Sequence, residues 1–236
     1  MRLSFVIPLY NEEKRIQKSC REIIKFRKSL PFENEWIFVN DGSTDRTELL
    51  AREELGTLPY RWLNLKENQG KGWAVRQGVL EATGDYIFFS DADLSTPLSE
   101  YARLLKVLED SFSLAIGSRA LSESQVLVRQ NWVRQTMGRI FNRIARMLAF
   151  QGIRDSQCGF KGFKRDVAWK LFSLQKIKGF SFDAEIIYLA QKLGFQIAEI
   201  PVTWVNSGES KVDMFRDSFQ MLVDLFRIRS LHQDLR

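Results

Sequence analysis

The chain has 236 residues, of which 44% are hydrophobic, and a formal net charge of +6. This length and apolar content suit one folded domain with appended segments, and the mixing of both charge signs argues against a disordered tail. Two cysteines are too few for a disulfide framework or a cysteine-rich zinc site, and a single histidine argues against a histidine metal cage. Chemistry must then rest on carboxylates, lysine, arginine and backbone groups, which favour Mg²⁺ or Mn²⁺.

Runs without a charged residue do not exceed nine residues, whereas a membrane-spanning helix needs about 20 apolar residues. The first predicted strand begins almost at the N-terminus, which leaves no room for a signal peptide. We therefore expect a cytoplasmic protein that is soluble or peripheral to a membrane. The positive charge suits an anionic partner such as a nucleotide, a phospholipid surface or a nucleic acid.

Short apolar runs alternate with helical patterns over residues 1–118. Five runs are rich in aromatic or branched residues and predict strands at 3–7, 36–39, 62–65, 86–89 and 113–117. Helices are predicted between them, with Asn11 as the N-cap of the first, residues 72–83 as the second and a third after Pro97. This alternation predicts an α/β fold with a single Rossmann-like, doubly wound and mostly parallel sheet.

The pattern changes after residue 118. A basic amphipathic helix is predicted at about 129–150, followed by a turn region, two more helices and a strand at 196–204. Residues 214–231 again alternate apolar and charged side chains at helical spacing. The sequence therefore predicts one main domain at 1–212 and a C-terminal amphipathic helix within 213–236, which contacts a membrane interface or a second subunit.

Asp91, Ala92 and Asp93 follow the fourth predicted strand and precede a helix that starts at proline. In a doubly wound sheet, ligands bind beyond the carboxyl ends of the strands. Two neighbouring carboxylates repel one another unless a cation lies beside them, so the pair predicts a divalent metal that also holds a diphosphate. A helix N-cap with a surface turn is the alternative, and a D-x-D triplet alone does not decide between them.

Two further segments favour a nucleotide ligand. Asp41 also ends an apolar strand, where its carboxylate can accept a hydrogen bond from a nucleobase N–H, although capping of the next helix by Ser43 or Asp45 is equally natural. Lys71 lies between two glycines before a predicted helix, where backbone N–H groups attract phosphate. Its spacing differs from that of a Walker A loop, and a solvated lysine is the alternative.

Taken in order, residues 6–12, 39–45, 68–72, 84–85 and 91–93 resemble the family 2 inverting glycosyltransferases with the GT-A fold. The resemblance covers about residues 3–118. It implies that Asp91 and Asp93 hold Mg²⁺ or Mn²⁺ together with a sugar diphosphate. It also implies a group of residues that line the nucleotide-sugar pocket: Pro8, Tyr10, Glu12, Asp41, Lys71, Asp91 and Ala92.

Motifs in the second half of the chain restrict this resemblance to one branch of the family. Residues 117–119, 155–161, 182–185 and 201–204 are similar to the polyprenyl-phosphate branch of the family, which includes dolichyl-phosphate glucosyltransferases. The resemblance implies transfer of a hexose, namely glucose from UDP-glucose, to a polyprenyl phosphate held by Arg119 and Arg134. The arginine fork pairs well with phosphate oxygens. For Arg134, a solvated position on a basic helix is the alternative.

The acceptor decides which catalytic groups are needed beside Asp93 and the metal. A phosphate monoester is largely ionised at neutral pH, so positioning by Arg119 and Arg134 could suffice. A saccharide hydroxyl is the second hypothesis and would need a general base, for which Asp183 is the candidate. Capping of a helix at 184–192 is the alternative role for Asp183. A third hypothesis is a non-catalytic scaffold, against which Asp41, Asp91 and Asp93 argue.

Unlike the dolichol enzymes, the sequence contains no transmembrane anchor, so a lipid acceptor would be reached from the membrane surface. The basic helix and the apolar face of 214–231 are candidates for lying in that interface, on the cytoplasmic side. Packing on the catalytic domain, or on a second subunit of a homo-oligomer, is the alternative. Nucleic-acid binding is not expected, because Trp132 and Phe141 do not form a stacking platform.

Overall fold

The computed structural model describes residues 1–128, 132–205 and 216–235. The strands are β1 (Arg2–Leu9), β2 (Glu33–Asn40), β3 (Arg61–Asn64), β4 (Tyr86–Ser90), β5 (Leu114–Ser118), β6 (Gln125–Val128), β7 (Phe160–Lys164), β8 (Ile197–Pro201) and β9 (Thr203–Val205). The α-helices are α1 (Ile16–Ser29), α2 (Thr47–Leu55), α3 (Lys71–Glu81), α4 (Tyr101–Asp110), α5 (Trp132–Leu148), α6 (Arg165–Leu174), α7 (Phe182–Lys192) and α8 (Arg216–Leu231).

Seven strands form one sheet in the order β3-β2-β1-β4-β7-β5-β8. Its strands run parallel except for β7, which pairs antiparallel with both β4 and β5. Strands β6 and β9 form a separate parallel pair. The predicted α/β class with a mostly parallel sheet is therefore confirmed. The reversal of the strand order at β1 and β4 creates the crevice where such folds bind ligands.

Side chains of the central strands enter two apolar layers, one on each face of the sheet. In β1, Phe5 and Ile7 pack with α1 and α4, whereas Val6 faces α3 on the opposite side. This alternation follows from the two-residue period of a strand. Both faces are covered by helices, which explains why these strands appear in the sequence as nearly continuous apolar runs.

Strand β7 was not predicted, because its sequence carries lysines at both 161 and 164. The side chain of Lys161 is 0% exposed and its charge is matched by Asp183, so the strand tolerates a cation inside the sheet. Gly162 leaves room for the ring of Phe88, since a Cβ atom there would lie 2.6 Å from the ring. A tertiary ion pair has thus overridden the local sequence pattern.

Two other predictions are wrong in detail. The single strand predicted at 196–204 is divided into β8 and β9, because Val202 joins two sheets: its N–H donates to Ser118 and its carbonyl accepts from Gln125. Asn11 does not cap α1, which begins at Ile16. Asn11 instead has a left-handed backbone (φ 52°), and its side-chain oxygen accepts a hydrogen bond from the N–H of Thr44 at 2.8 Å.

Helices α5 and α8 correspond to the two amphipathic segments predicted in the second half of the chain. They pack against one another, and α8 also contacts α7. Leu225 and Ile228 of α8 are fully buried in the same apolar layer as α3 and α7. In the part of the chain that the structure describes, the helices are too short or too polar to cross a membrane.

Candidate active site

A cavity of about 990 Å³ opens at the carboxyl ends of the sheet. Its volume is at the upper end of the range usual for small-molecule sites. Most of the binding residues predicted from the sequence line it together: Pro8, Tyr10, Glu12, Asp41, Lys71, Asp91, Ala92, Asp93 and Arg119. Strands β1, β2, β4 and β5 deliver all of these side chains except Lys71, which begins α3, since the parallel strands end at one edge of the sheet.

Asp91 and Asp93 follow β4 and face cations on neighbouring elements. An oxygen of Asp91 lies 2.6 Å from the Nζ atom of Lys71, and an oxygen of Asp93 lies 3.9 Å from the guanidinium of Arg15. The other oxygen of Asp93 accepts a hydrogen bond from the backbone N–H of Ser95 at 2.9 Å. The two carboxylates are thus held in the cavity with positive charge beside each.

The side chain of Asp91 lies directly against the backbone of Gly159. A Cβ atom at position 159 would be 2.0 Å from an oxygen of Asp91, so any other residue would displace the carboxylate. The N–H of Asp91 also donates to the carbonyl of Gly159 at 3.0 Å. The loop before β7 and Lys71 therefore both restrict the position of the Asp91 carboxylate.

Lys71 is the first residue of α3, where backbone N–H groups and the helix dipole attract anions. Burial disfavours the charged ammonium, but Asp91 and then Asp183 raise the pKa of Lys71 above its ordinary value. The side chain is therefore charged at neutral pH. It is suited to binding an anionic oxygen that approaches the same helix end.

Asp41 follows β2, is 2% exposed and is held by the loop at 68–70. Its carboxylate accepts hydrogen bonds from the N–H groups of Gln69 at 2.8 Å and Gly70 at 2.9 Å, and from the side chain of Asn68 at 3.0 Å. Burial raises the pKa of Asp41, while the hydrogen bonds from Gln69 and Gly70 oppose that rise. Asp45, one of the two residues named as the alternative helix cap, accepts a hydrogen bond from the N–H of Thr47 at the start of α2, so Asp41 and Asp45 have separate contacts.

Residues after β1 complete this edge of the cavity. Glu12 is 7% exposed and forms a two-point ion pair with Arg15, whose Nη2 atom lies 2.8 Å from a Glu12 oxygen. Tyr10 is 38% exposed and lines the mouth of the cavity with Pro8. Arg15 also lines the cavity, and no spacing signal in the sequence identifies it as a site residue.

Arg119 follows β5 and forms a two-point ion pair with Asp155, at 2.7 Å from Nε and 2.8 Å from Nη2. Burial would raise the pKa of Asp155, but the charge and hydrogen bonds of Arg119 lower it below its ordinary value. The Arg119 guanidinium also lies 5.6 Å from the ring centroid of Trp204. Asp155 uses two of the five guanidinium N–H donors, so Arg119 is a fixed cation that can bind a further anion.

Asp183 is not among the residues that line the cavity. It lies in the first turn of α7, is 2% exposed and pairs with Lys161 at 2.5 Å. Lys161 also donates to the carbonyl of Cys158 at 2.7 Å. Burial raises the pKa of Asp183, against the lowering influence of Lys161 and then Lys71. Its carboxylate is therefore committed to a buried ion pair beneath Lys71.

Helices α5 and α8 supply a second side of the cavity, which we call the helix side. We call the residues that follow β1, β2, β4 and β5 the sheet side. The large apolar residues of the helix side, none of which was predicted individually, are Met137, Phe141, Phe219, Met221 and Leu222, and α8 also contributes the polar Asp217, Ser218 and Gln220. Amphipathic spacing identified both helices but could not indicate which residues face a cavity. Arg134 lies within α5, and its side chain is outside the described part of the structure.

Residues 4–172 match the family described as Glycosyl transferase family 2. The chain belongs to this family. Membership makes it a glycosyltransferase that depends on a nucleotide sugar, and the sheet topology is that of the GT-A fold. The matched residues contain the sheet side of the cavity, including Asp41, Asp91, Asp93 and Arg119.

Among its relatives in the family are proteins named dolichyl-phosphate beta-glucosyltransferase. The one from Dictyostelium discoideum is 37% identical over 240 residues, which cover 96% of this chain and 73% of that protein. The human protein is 35% identical over 241 residues, covering 96% of this chain and 74% of its own length. The protein from Saccharomyces cerevisiae is 35% identical, with the same shares covered.

Solved structures with the same fold include glucosyl-3-phosphoglycerate synthase from Mycobacterium tuberculosis. Its complex with Mn²⁺, UDP and glucosyl-3-phosphoglycerate superimposes with a TM-score of 0.71 at 19% identity, covering 97% of this chain and 79% of that one. Its complex with Mg²⁺ and UDP gives a TM-score of 0.68 at 19% identity, covering 98% and 79%. At this identity the likeness establishes the fold alone.

Proposed function

We propose that this family 2 glycosyltransferase transfers glucose from UDP-glucose to a polyprenyl phosphate, with inversion at the anomeric carbon. The observation that carries the proposal is a single cavity lined by the pair Asp91 and Asp93 and by the fixed cation Arg119. The carboxylate pair suits a metal-bound sugar diphosphate, and Arg119 suits the phosphate of an acceptor. The names of the dolichyl-phosphate relatives support the same sugar and the same class of acceptor.

The carboxylates fit a hard divalent cation, Mg²⁺ or Mn²⁺, because both metals prefer oxygen ligands. In residues 1–128, 132–205 and 216–235, no group of three His, Cys, Asp or Glu side chains could hold a metal. Asp91 and Asp93 would therefore bind the cation together with diphosphate oxygens, which supply the missing ligands. The metal, once bound, neutralises the charge that develops on the leaving diphosphate.

The protein's own groups would hold the donor in place around that diphosphate. Lys71 offers an ammonium at the N-terminus of α3 to the diphosphate oxygens. We assign the nucleoside to the pocket edge formed by Pro8, Tyr10, Glu12 and Asp41, with Ala92 between the carboxylates. The 2% exposure of Asp41 and its contacts to the loop at 68–70 support a role as a fixed acceptor for a nucleobase N–H.

The acceptor phosphate would bind at Arg119, with Arg134 of α5 as the second proposed contact. One phosphate oxygen would attack the anomeric carbon while the bond from that carbon to the diphosphate breaks. Because a phosphate monoester is already ionised near neutral pH, the step requires no general base. Orientation by Arg119, which Asp155 holds rigidly, supplies the catalytic advantage.

Transfer to a saccharide hydroxyl, with Asp183 as the base, is less well supported. A base must come within hydrogen-bond reach of the hydroxyl, directly or through one water molecule. Asp183 is buried against Lys161 and does not line the cavity. Asp183→Asn would abolish turnover if the hydroxyl hypothesis were correct, whereas phosphate transfer predicts a partial loss through the disturbed neighbours of Lys71.

We further propose that α5 and α8, within the segments 129–150 and 213–236, approach the cytoplasmic surface of a membrane. Ile140 and Met147 are 53% and 73% exposed and lie seven residues apart on α5. Phe219 and Phe226 are 70% and 67% exposed with the same spacing on α8. Seven residues return to the same helix face, so each helix presents an apolar row beside the cavity. That arrangement would bring Arg119 to a lipid phosphate.

The deciding experiment is a screen of nucleotide sugars against a short polyprenyl phosphate, following release of nucleoside diphosphate with Mn²⁺, with Mg²⁺ and with chelator. We expect UDP-glucose to give the fastest metal-dependent release. Release with a saccharide acceptor but with no polyprenyl phosphate would overturn the proposed acceptor. Metal-dependent nucleotide binding without turnover on any acceptor would favour a scaffold.

A further inference from the structure

The single histidine, His232, is buried at the end of α8 against Glu185 of α7. Its Nε2 atom lies 2.6 Å from a Glu185 oxygen, and the two side chains are 1% and 0% exposed. Glu185 also accepts two backbone N–H hydrogen bonds, so its carboxylate acts as an acceptor and Nε2 of His232 donates. Three donors thus satisfy a carboxylate that would otherwise be costly to bury.

The two backbone N–H groups belong to the segment 175–179, which precedes α7. Lys176 donates to one oxygen of Glu185 and Ile177 to the other, each at 2.9 Å. The side chain of Lys176 donates in addition to the carbonyl of Leu231, beside His232. Segment 175–179 is therefore fastened to both α7 and the end of α8.

The same segment contacts the loop that opens α3. The carbonyl of Lys178 accepts from the N–H of Trp73 at 3.1 Å, and the side chain of Gln175 donates to the carbonyl of Gly72 at 2.9 Å. Gly70 has φ +105°, and a Cβ atom there would lie 2.6 Å from the carbonyl oxygen of Lys178. The two backbones are thus packed without space for a side chain between them.

The loop at 68–72 carries the groups that face the donor. Gln69 and Gly70 donate to Asp41, and Lys71 pairs with Asp91. A continuous series of hydrogen bonds and backbone contacts therefore joins His232 to the nucleotide site. The opposite end of α8 lines the same cavity through residues 217–222.

We infer that His232 and Glu185 are positioning residues for the nucleotide site. They hold segment 175–179 against the loop at 68–72, and so fix the backbone N–H groups and the ammonium that face the donor. The inference relies on the dependence of the family on nucleotide sugars. It does not depend on the identity of the sugar or of the acceptor.

The test compares His232→Leu, which removes the donor, with His232→Gln, whose amide N–H can replace Nε2. Amide hydrogen exchange of the segment 66–80 measures the loop directly. Titration of the wild type with UDP, GDP and ADP in the presence of Mn²⁺ measures the Kd of each nucleotide. The nucleotide that binds most tightly is then used to compare the variants. Ser230→Ala is the matched control, because Ser230 is an exposed residue of the same helix end whose hydroxyl donates to Arg227.

For His232→Leu we expect faster exchange at 66–80 and a nucleotide Kd weakened by roughly 3–30-fold, the usual range for residues that act through others. The KM for nucleotide sugar should rise more than kcat falls. His232→Gln should restore most of the affinity, and Ser230→Ala should match the wild type. Glu185→Gln should weaken binding in the same direction, because an amide cannot accept from both Lys176 and Ile177.

A merely structural pair would lower Tm and leave the loop and the nucleotide site unchanged in the folded protein. The inference is therefore overturned if folded His232→Leu shows exchange at 66–80 and a Kd within about twofold of the wild type. If His232→Leu does not fold, Glu185→Gln decides by the same two measurements. Absence of binding by all three nucleotides would contradict the proposed function, and hydrogen exchange would still test the positioning role.

Discussion

The sheet side and the helix side of the cavity are stabilised in different ways. On the sheet side, the functional groups hold each other: Asp41 is bound by the loop at 68–70, Asp91 by Lys71, and Arg119 by Asp155. On the helix side, five large apolar residues line the cavity beside the polar Asp217, Ser218 and Gln220, and the same two helices also present large apolar side chains to solvent. One side is rigid and charged, whereas the other offers surface to an apolar partner.

Because of this difference, the two sides of the cavity suit two chemically distinct substrates. A nucleotide sugar is rich in phosphate and hydrogen-bonding groups, which require fixed polar partners. A polyprenyl chain has no polar groups along its length and is bound by apolar area alone. In the proposed function, the acceptor phosphate is the point where the two requirements meet, and we place Arg119 at that point. Separate damage to each side should therefore produce separable kinetic defects.

The largest effect is expected on the sheet side from Asp91→Asn. Loss of this carboxylate removes a proposed metal ligand and the partner of Lys71, so turnover should fall by at least about 100-fold, as for the loss of a group that stabilises developing charge. Initial rates of nucleoside diphosphate release with and without Mn²⁺ measure this effect. The exposed Asp110→Asn is the control. Retention of metal-stimulated turnover in Asp91→Asn would contradict the assignment.

A smaller and more selective effect is expected from Arg119→Lys. Lysine keeps the charge but loses the two-point fork, so the KM for polyprenyl phosphate should rise by roughly 10–100-fold, the range expected for charged hydrogen bonds. The KM for UDP-glucose should change little. Steady-state kinetics with each substrate varied in turn separate the two, with the exposed Arg154→Lys as control. If only the KM for UDP-glucose rose, Arg119 would be assigned to the nucleotide site instead of the acceptor site.

The outward faces of the helices are tested by the double change Met147→Ser and Phe226→Ser. Neither residue lines the cavity, so turnover of a short, water-soluble polyprenyl phosphate should be retained. Binding to anionic vesicles should fall by about tenfold, because two apolar side chains no longer enter the interface. Vesicle sedimentation measures this, and Leu49→Ser, which alters an exposed leucine on α2, is the control. Unchanged vesicle binding would contradict the membrane-facing role.

The smallest effect is expected for Asp155→Asn, whose free energy of unfolding should depend on pH differently from that of the wild type. Arg119 lowers the pKa of Asp155 in the folded protein, so the wild type gains stability above the unfolded value near 3.8 and loses it as the pH falls through the lower folded value. The free energy of unfolding of the wild type should exceed that of the variant by its full amount near pH 6. Below about pH 4 this difference should decrease, by at most about 1.4 kcal/mol per pH unit. Urea denaturation at several pH values measures it. A constant difference across that range would contradict the lowered pKa.

The sheet side could be predicted from the sequence because its residues follow apolar strands in a fixed order. Once the strands are parallel, their carboxyl ends must meet, so Asp41, Asp91 and Arg119 share one edge. The paired roles of Asp155, Lys161 and His232 could not be predicted in this way. Each depends on a partner more than 20 residues away, and no local spacing indicates which opposite charge will be nearby.

The helix side was predicted only as two amphipathic segments. Periodicity shows that α5 and α8 have an apolar face, but it cannot divide that face between the core, a cavity and a solvent-exposed surface. Leu225 is fully buried, whereas Phe226, the next residue, is 67% exposed. The division is set by how α8 docks on α5 and α7, which is a property of the tertiary structure.

Strand β7 has a consequence for the order in which the protein can assemble during its synthesis. β1, β2, β3 and β4 pair directly with one another and are complete once residue 90 has been made. β5 follows in the chain, and its partners among the described residues are β7 and β8, which begin at residues 160 and 197. On the ribosome, β5 must therefore wait for about 45 further residues before its first neighbour is made, at rates of roughly 5–20 residues per second. Gly159 directly precedes β7, so its contact with Asp91 can form only after this part of the chain has been made.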